Sequence, residues 1–215
     1  YDDFMLHDKT TNECFTLIND PFAKGNIGYA SLQSEMAYCL ELYGESGSWR
    51  ISEINLKDFG SSIIYDNNKE DGWDFLGISF KDYDVEKFLG GSVESFFVTD
   101  RYIFMEWMLP GLMRYDRLTG QRKAVITDKG TGNYFGDGEN IYYINSSLQL
   151  KSYSIKDEKE STLVDDMAIA EICIMRKGTI SFKTYETNEN NLYIYENGKC
   201  ESIGFKADWF TAYDD

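Results

Sequence analysis

Short runs in which apolar and polar residues alternate recur along the chain, separated by turns rich in Gly, Asp and Asn. Alternation with a period of two puts the apolar side chains on one face, which is typical of half-buried β-strands. A sustained spacing of three to four residues between apolar positions, which would indicate a long helix, is absent. The pattern therefore predicts an all-β chain.

One triplet, an apolar residue, any residue and an aromatic residue, recurs at a fixed distance. It occurs at Ile63-Ile64-Tyr65, Tyr102-Ile103-Phe104, Ile141-Tyr142-Tyr143 and Ile180-Ser181-Phe182, and successive copies are 39 residues apart. A fainter copy, Ile27-Gly28-Tyr29, precedes the first by 36 residues. Four short strands repeated at this period are the plan of a β-propeller blade.

We therefore predict a single all-β domain over residues 1–215, a β-propeller of about five to six four-stranded blades. The units are predicted at residues 13–50, 51–90, 95–128, 133–166 and 170–206. Residues 1–9 are expected to form a lone outer strand, and residues 207–215 the first strand of a further unit. If these terminal strands share a blade, the ring closes and removes exposed sheet edges. The alternative is that residues 1–215 are a piece of a longer propeller.

A family resemblance follows from Asp137 to Tyr143 (Asp-Gly-x-x-Ile-Tyr-Tyr) and from Leu150 to Tyr153 (Leu-x-x-Tyr). This pattern resembles the repeats of bacterial exported propellers, which are similar to the YWTD-type propellers of the low-density-lipoprotein receptor family. Leu112–Gly120 is similar to the third strand and turn of such blades, although Ile-Tyr-Tyr-Ile stands here for Tyr-Trp-Thr-Asp. The resemblance implies an extracytoplasmic, mostly non-catalytic scaffold that binds protein or carbohydrate.

The charge of the chain narrows the choice of partner. With 21 Lys and Arg against 37 Asp and Glu, the formal net charge is −16. Such a surface repels nucleic acid and anionic lipid, but it tolerates a basic protein, a cation or a neutral glycan. The alternative is that the charge serves solubility. No apolar run is long enough to span a bilayer, so no membrane insertion is expected. The given sequence shows no signal peptide, and the oligomeric state is left open.

Candidate catalytic chemistry is limited by a single histidine, His7. Ser-His-Asp and Cys-His nucleophiles and His-rich metal sites need an imidazole in a defined site, so these classes are not expected. Paired carboxylates remain, and Asp58, Asp100 and Asp137 each precede a triplet. Because these positions recur from unit to unit, we expect them to stabilise turns. No catalytic residue and no cofactor are therefore predicted.

The densest group of oxygen ligands is Asp66 to Gly72, which begins like a calcium-binding loop. Its sixth position is Asp71 where such loops have Gly, and its twelfth is Gly77, which has no side chain to chelate calcium. We therefore expect a solvated turn and no metal. Four cysteines occur without a C-x-x-C motif. They are either reduced and partly buried, or joined as Cys173–Cys200 or Cys14–Cys39.

The candidate binding site lies in the connection between the second and third strands of unit three. It runs Glu106-Trp107-Met108-Leu109-Pro110-Gly111, whereas the same connection of unit four is the polar Asn145-Ser146-Ser147. An apolar connection is unusual for a solvated turn, and Trp73 and Asp71 belong to the same class of connection in unit two. We predict a binding site made of Glu106, Trp107, Met108, Trp73 and Asp71. The alternative is that Trp107 or Met108 fills the central channel.

These observations predict an exported, non-catalytic binding module that recognises a protein or a glycan on one end-face. A carboxylate-dependent glycoside hydrolase or lyase on the same face is one alternative, because propellers can supply two carboxylates from different blades. A structural module of a larger surface protein is the other.

Overall fold

The structure is a computed structural model, and all of its regular elements in the described residues are β-strands. It describes residues 4–8, 12–18, 27–33, 35–43, 48–66, 74–75, 78–79, 96–107, 111–128, 130, 134–185, 191–204 and 206. Within these ranges, nothing forms a helix with the length and apolar character needed to cross a bilayer.

The described strands form four four-stranded antiparallel sheets and two two-stranded sheets. The strands of the first half are β1 (Phe4–Asp8), β2 (Glu13–Ile18), β3 (Ile27–Gln33), β4 (Met36–Tyr43), β5 (Ser48–Asn55), β6 (Ser61–Asp66), β7 (Asp74–Phe75) and β8 (Ile78–Ser79). Those of the middle are β9 (Phe96–Val98), β10 (Tyr102–Trp107), β11 (Gly111–Asp116), β12 (Arg122–Ile126), β13 (Phe135–Gly136), β14 (Asn140–Ile144), β15 (Leu150–Ser154) and β16 (Lys159–Val164). The last sheet has β17 (Ile169–Arg176), β18 (Thr179–Thr184), β19 (Leu192–Glu196) and β20 (Lys199–Ser202).

Strand order within each four-stranded sheet follows chain order: β3 to β6, β9 to β12, β13 to β16 and β17 to β20. Neighbours joined by tight turns pair antiparallel, as β14 does with β15 from Asn140↔Ser154 to Ile144↔Leu150. The predictions of an all-β fold and of four-stranded repeating units are confirmed.

The chain divides into two compact units. Unit 1 comprises Tyr1–Ile103 and Asp116–Lys123, and unit 2 comprises Phe104–Tyr115 and Ala124–Asp215. In unit 1, the core side chains of the β3–β6 sheet include Cys39, Leu40, Ile51 and Ile54, all at most 1% exposed. On the same unit, Arg117 pairs with Glu53 at 3.0 Å, which ties the turn after β11 to β5.

In unit 2 the sheets β13–β16 and β17–β20 pack face to face through one apolar cluster. Its buried members are Tyr142, Ile144, Leu150, Val164, Ile169, Ile172, Ile180 and Phe182. Phe182 also stacks on Tyr193, with ring centroids 5.4 Å apart. Burying a large apolar side chain contributes about 1.5–3 kcal/mol, so this cluster is a main source of the stability of unit 2.

Two features of the predicted organisation differ from the structure. The outer strand predicted in residues 1–9 is not alone where the structure describes it, because β1 pairs with β2 from Met5↔Thr16 to Asp8↔Glu13. The unit boundary placed at residue 50 falls inside the β3–β6 sheet, since β5 pairs with β4 from Met36↔Asn55 to Tyr43↔Ser48. The Gly-rich segment 44–47 therefore joins two strands of one sheet. Residues 207–215 lie outside the described residues.

The triplets also occupy different places. Those at residues 102–104, 141–143 and 180–182 lie in β10, β14 and β18, the second strand of each sheet. The triplet at 63–65 lies in β6, the fourth strand, and Ile63 is 53% exposed. The triplet at 27–29 lies in β3, a first strand. An apolar-x-aromatic pattern is typical of any half-buried strand, so by itself it does not distinguish the second strand from the others.

Candidate functional site

Several interstrand connections of unit 2 lie at one end of its sheets, and hydrogen bonds join them. Asn145, after β14, donates from Nδ2 to Oδ2 of Asp128, after β12, at 3.2 Å. The amide of Ile169, at the start of β17, donates to the carbonyl of Leu148 at 2.8 Å. The amide of Tyr185, after β18, donates to the carbonyl of Ala168 at 2.9 Å. We call this the acidic end, defined by its exposed residues Asp128, Asp165, Asp166 and Tyr185.

Glu106, the first predicted site residue, lies near the end of β10 and is fully buried, with 0% of its surface exposed. The 39-residue period places it at the same position as Asn145 and Thr184. Those residues are polar and buried as well, at 3% and 2% exposure. Asn145 Oδ1 accepts the amides of Ser147 and Gln149, so in that repeat the position organises the turn. The equivalence favours the same internal role for Glu106, beneath the surface of the acidic end.

Trp107 is the last residue of β10, and its side chain lies outside the described residues. The same period aligns Trp107 with Ser146 and Tyr185. Both are exposed, and Tyr185 keeps 53% of its surface accessible. Met108, Trp73 and Asp71 also lie outside the described residues, so the predicted grouping of the five residues stays a prediction.

Two buried tyrosines of unit 2, Tyr134 and Tyr143, pack against each other. The rings of Tyr134 and Tyr143 are tilted at 40° with centroids 5.6 Å apart, and Tyr143 donates its hydroxyl to Oε1 of Glu160 at 2.8 Å. Burial raises the pKa of Tyr143, and the hydrogen bond to Glu160 raises it further. Burial also raises the pKa of Tyr134, with added contributions from the charges of Glu106, Asp128 and Glu160. Tyr134 is 6% exposed, and its hydroxyl has no hydrogen-bond partner in the part of the chain that the structure describes.

Asp128 accepts a hydrogen bond at each of its carboxylate oxygens. Its Oδ1 accepts the amide of Ser146 and its Oδ2 the amide group of Asn145, both at 3.2 Å. Hydrogen bonding by Ser146, from the side chain as well as the backbone, holds the pKa of Asp128 below its usual range against the opposing effect of partial burial. Asp128 is therefore a fixed negative charge at neutral pH, as expected for a group that attracts cations.

The opposite end of unit 2 carries lysines. Exposed lysines flank the turns at residues 155–158, 177–178 and 197–198: Lys156, Lys159, Lys177 and Lys199. Lys177 forms an ion pair with Glu139 at this end. Exposed carboxylates, among them Glu139, Asp157 and Glu158, lie at this end beside the lysines.

The turn role predicted for the recurring aspartates is confirmed at two positions. Asp137 Oδ1 accepts the amides of Glu139 at 2.9 Å and Asn140 at 2.7 Å. Asp58 Oδ1 accepts the amide of Gly60 at 2.9 Å. Asp100 is exposed in the turn between β9 and β10, where its role stays a prediction.

All four cysteines are free thiols. Cys173 and Cys200 lie in β17 and β20, the two edges of one sheet, which three strand spacings separate by about 14 Å. That exceeds the roughly 7 Å between Cα atoms that a disulfide tolerates. Among the described residues, no three His, Cys, Asp or Glu side chains are grouped as metal ligands would be.

The sequence did not point to Tyr134, Asp128, Asp165, Asp166 or Tyr185. Each is a single polar or aromatic residue in a connection, where such residues are common. A signal was nevertheless present in the repeat. Asp128 and Asp166 each follow the last buried residue of a fourth strand (Ile126 and Val164) by two positions, and Tyr185 aligns with Trp107.

No family model matches this sequence, and no curated protein matches it. Solved structures do share its fold. An oligogalacturonate lyase in complex with manganese has a TM-score of 0.64 and 14% identity, with 97% of this chain covered and 61% of that chain. TolB from Acinetobacter baumannii has a TM-score of 0.55 and 12% identity, with 94% and 49% covered. A nidogen/laminin complex has a TM-score of 0.50 and 13% identity, with 96% of this chain and 74% of that chain covered.

These similar structures are β-propellers, and the present chain has a β-propeller fold. It spans less than two thirds of the lyase and TolB chains, at 61% and 49%. At 12–14% identity the likeness shows the fold alone. The resemblance to YWTD-type propellers in particular stays a prediction.

Proposed function

We propose that this chain is a non-catalytic β-propeller module that binds a protein or a carbohydrate at the end where β10 meets β11. The exposure of Tyr185 carries the proposal. Tyr185 is 53% exposed and occupies, two periods later, the position of Trp107. An exposed aromatic ring beside carboxylates suits a sugar face or a basic peptide, because the ring supplies apolar area and the carboxylates supply hydrogen bonds.

Trp107 and Met108 are the proposed contacts of unit 2, and Trp73 and Asp71 the proposed contacts of unit 1. Glu106 is proposed to act from below, by holding the end of β10, since its side chain is buried as Asn145 is. A chain of the nidogen/laminin complex shares this fold and was solved in a complex with a protein. That supports a protein ligand for a chain of similar architecture. The extracytoplasmic location is part of the proposal and rests on the sequence resemblance to exported propellers.

A carboxylate-dependent hydrolase or lyase is less well supported. That chemistry needs two carboxyl groups about 5–9.5 Å apart on one substrate site. The buried carboxylates of the described residues are Glu106 and Asp116. Asp116 accepts two hydrogen bonds from Arg101 and the amides of Leu118 and Thr119, so it is committed to a turn. Asp58 and Asp137 are committed to turns in the same way.

The proposal is tested by screening the purified chain against arrays of extracellular proteins and of glycans, then measuring affinity for the strongest ligand with Trp107→Ala. Loss of a large aromatic contact is expected to weaken binding by tenfold or more, as at binding hot spots. Leu118→Ala is the matched control, since Leu118 is 80% exposed in the turn between β11 and β12, at the other end of that sheet. A Trp107→Ala variant that binds as tightly as the wild type would refute this site. A chain without any ligand would favour the structural-module alternative.

A further inference from the structure

We propose that Asn197, in the turn between β19 and β20, is a site of spontaneous covalent modification, at which water converts its side-chain amide to a carboxylate. The proposal goes beyond the proposed function and does not depend on any ligand. Asn197-Gly198 is the only Asn-Gly sequence in the chain. Both residues are exposed, as is Lys199 after them.

The reaction has two steps and consumes only water. In the first, the backbone nitrogen of Gly198 loses its proton and forms a bond to Cγ of Asn197. The C–N bond of the side-chain amide breaks, ammonia leaves, and a five-membered succinimide ring remains. In the second step, one water molecule adds to either carbonyl carbon of the ring and reopens it. The product is aspartate or isoaspartate, and either one adds a negative charge to the end of unit 2 that carries the lysines.

The geometry of the turn leaves the attacking nitrogen accessible. Glu196 pairs with Lys199, so the loop consists of Asn197 and Gly198 alone. Both have a positive φ, of 52° and 77°, as a type I′ hairpin turn requires. The flanking pair makes the closing bonds of such a turn, so strand pairing does not use the amide of Gly198. Gly198 has no side chain, and the space that a Cβ would take has no atom within 4 Å.

The place of the hairpin in the sheet permits the rotation that the attack needs. The nitrogen of Gly198 reaches Cγ only when the backbone turns about ψ of Asn197. β20 lies at the edge of its sheet, and all four of its side chains are exposed. Segments with few buried contacts open locally at a low free energy. We therefore expect the turn to reach the reactive conformation without unfolding of the sheet.

Two other asparagines of unit 2 provide the contrast. Asn145 and Asn191 are 3% and 6% exposed, and each is followed by a residue whose side chain shields the backbone nitrogen. Nδ2 of Asn145 also donates to Asp128 at 3.2 Å and to Gln149 at 3.1 Å, which fixes that amide in place. Exposure and a following glycine thus coincide at Asn197.

The test incubates the intact, folded chain at mildly alkaline pH and follows each asparagine by peptide mapping with mass spectrometry. We expect Asn197 to convert to aspartate and isoaspartate at least tenfold faster than Asn145 or Asn191, because these two react only after local opening. The conversion should accelerate as pH rises, since the attacking nitrogen must lose its proton. Equal rates at the three asparagines would overturn the proposal. An Asn197 that converts in urea but stays intact in the folded chain would overturn it as well.

Hydroxylamine gives an independent readout, because it opens the succinimide ring and cleaves the chain after residue 197. The folded wild-type chain is expected to give fragments 1–197 and 198–215. Asn197→Gln should give at least tenfold less of both, since its longer side chain would have to close a six-membered ring. Gly198→Ala keeps the asparagine and adds only a methyl group beside the attacking nitrogen, so it should also slow cleavage. The same yield of fragments from Asn197→Gln as from the wild type would contradict the proposal.

Discussion

The hydroxyl of Tyr142 donates a 2.8 Å hydrogen bond to Oδ2 of Asp137, and the amide of Gly178 donates to the same oxygen at 3.3 Å. Asp137 therefore joins three parts of unit 2: its own turn, the face of β14 and the turn between β17 and β18. One side chain closes a turn and also connects two neighbouring sheets. Its position in the repeat, just before the aromatic strand, explains why an aspartate is suited there.

Asp137→Ala is expected to lower the free energy of unfolding by about 2–3 kcal/mol, because several hydrogen bonds of about 1 kcal/mol each lose their acceptor. Urea denaturation followed by tryptophan fluorescence measures this change. Asp157→Ala is the control, since Asp157 is exposed in a turn of the same sheet and is expected to cost less than about 1 kcal/mol. Equal costs for the two variants would contradict the connecting role of Asp137.

The lowered pKa of Asp137 makes part of the stability of the folded chain sensitive to acid. Burial acts to raise the pKa of Asp137, but hydrogen bonds from Asn140, Glu139, Tyr142 and Gly178 outweigh it and hold the pKa below its usual value. A carboxyl group with a lowered pKa stabilises the folded state above its unfolded pKa of about 3.9, and this stabilisation is lost as pH falls through the folded pKa. Asp137→Asn should therefore show a shallower loss of stability between about pH 4 and pH 2. The pKa values of Asp116 and Asp128 are also lowered, so these two residues still contribute to the loss of stability at low pH in that variant. An unchanged slope would show that Asp137 does not titrate as described.

Gly111 and Gly198 both have a positive φ, of 126° and 77°, but they differ in their surroundings. A Cβ at Gly111 would lie 2.0 Å from the carbonyl oxygen of Ile126, whereas a Cβ at Gly198 would meet no atom within 4 Å. Gly111→Ala is thus expected to lower the free energy of unfolding by about 3 kcal/mol or more. The new Cβ would clash with the backbone, and alanine would also be strained at this positive φ. Gly198→Ala should cost only about 1–2 kcal/mol, the penalty of the left-handed conformation. Thermal unfolding of the two variants compares them, and a milder effect at Gly111 would be inconsistent with this packing.

Thiol labelling tests the environment of the cysteines. Cys14 and Cys200 are exposed and Cys39 is buried, so the first two should react with Ellman's reagent in the folded protein and Cys39 only after unfolding. Partial burial raises the pKa of Cys200, and the nearby charge of Asp166 raises it further. Because the thiolate is the reactive form, Asp166→Asn should accelerate labelling of Cys200 at pH 8 without changing that of Cys14. A disulfide seen by mass spectrometry under non-reducing conditions, or no acceleration, would contradict the structure.

The three sheets from β9 to β20 were predictable from sequence, because equivalent residues of their second strands are buried at a regular spacing along the chain. Phe104, Tyr143 and Phe182 close three triplets 39 residues apart, and each lies in a second strand and is at most 2% exposed. The first half was predicted less well, since Ile63 carries the same triplet on an outer strand. There the second strand, β4, carries the same pattern at Met36-Ala37-Tyr38, but this copy is 27 residues before Ile63 (63 − 36) and so departs from the 39-residue spacing. Local pattern determines that a segment is a strand, but tertiary pairing determines which strand it is.

The candidate site was predictable only in outline. The apolar connection after Glu106 indicated which end of the sheets to consider, and the period explains why, because position 107 aligns with the exposed Tyr185. The burial of Glu106 could not be read from its own segment, since glutamate is seldom buried. The gathering of Asp128, Asp165 and Asp166 at one end depends on the direction of four strands, which sequence alone does not supply.

The most direct test of the account is to determine which end of unit 2 a ligand covers. Hydrogen–deuterium exchange with and without a saturating amount of the strongest ligand from the protein and glycan arrays reports this for every amide. The account predicts slower exchange in the connections at residues 127–128, 145–148 and 165–168 and at Tyr185, with no change in the turns at 155–158, 177–178 and 197–198. Protection confined to those turns, or spread evenly over both ends, would contradict it.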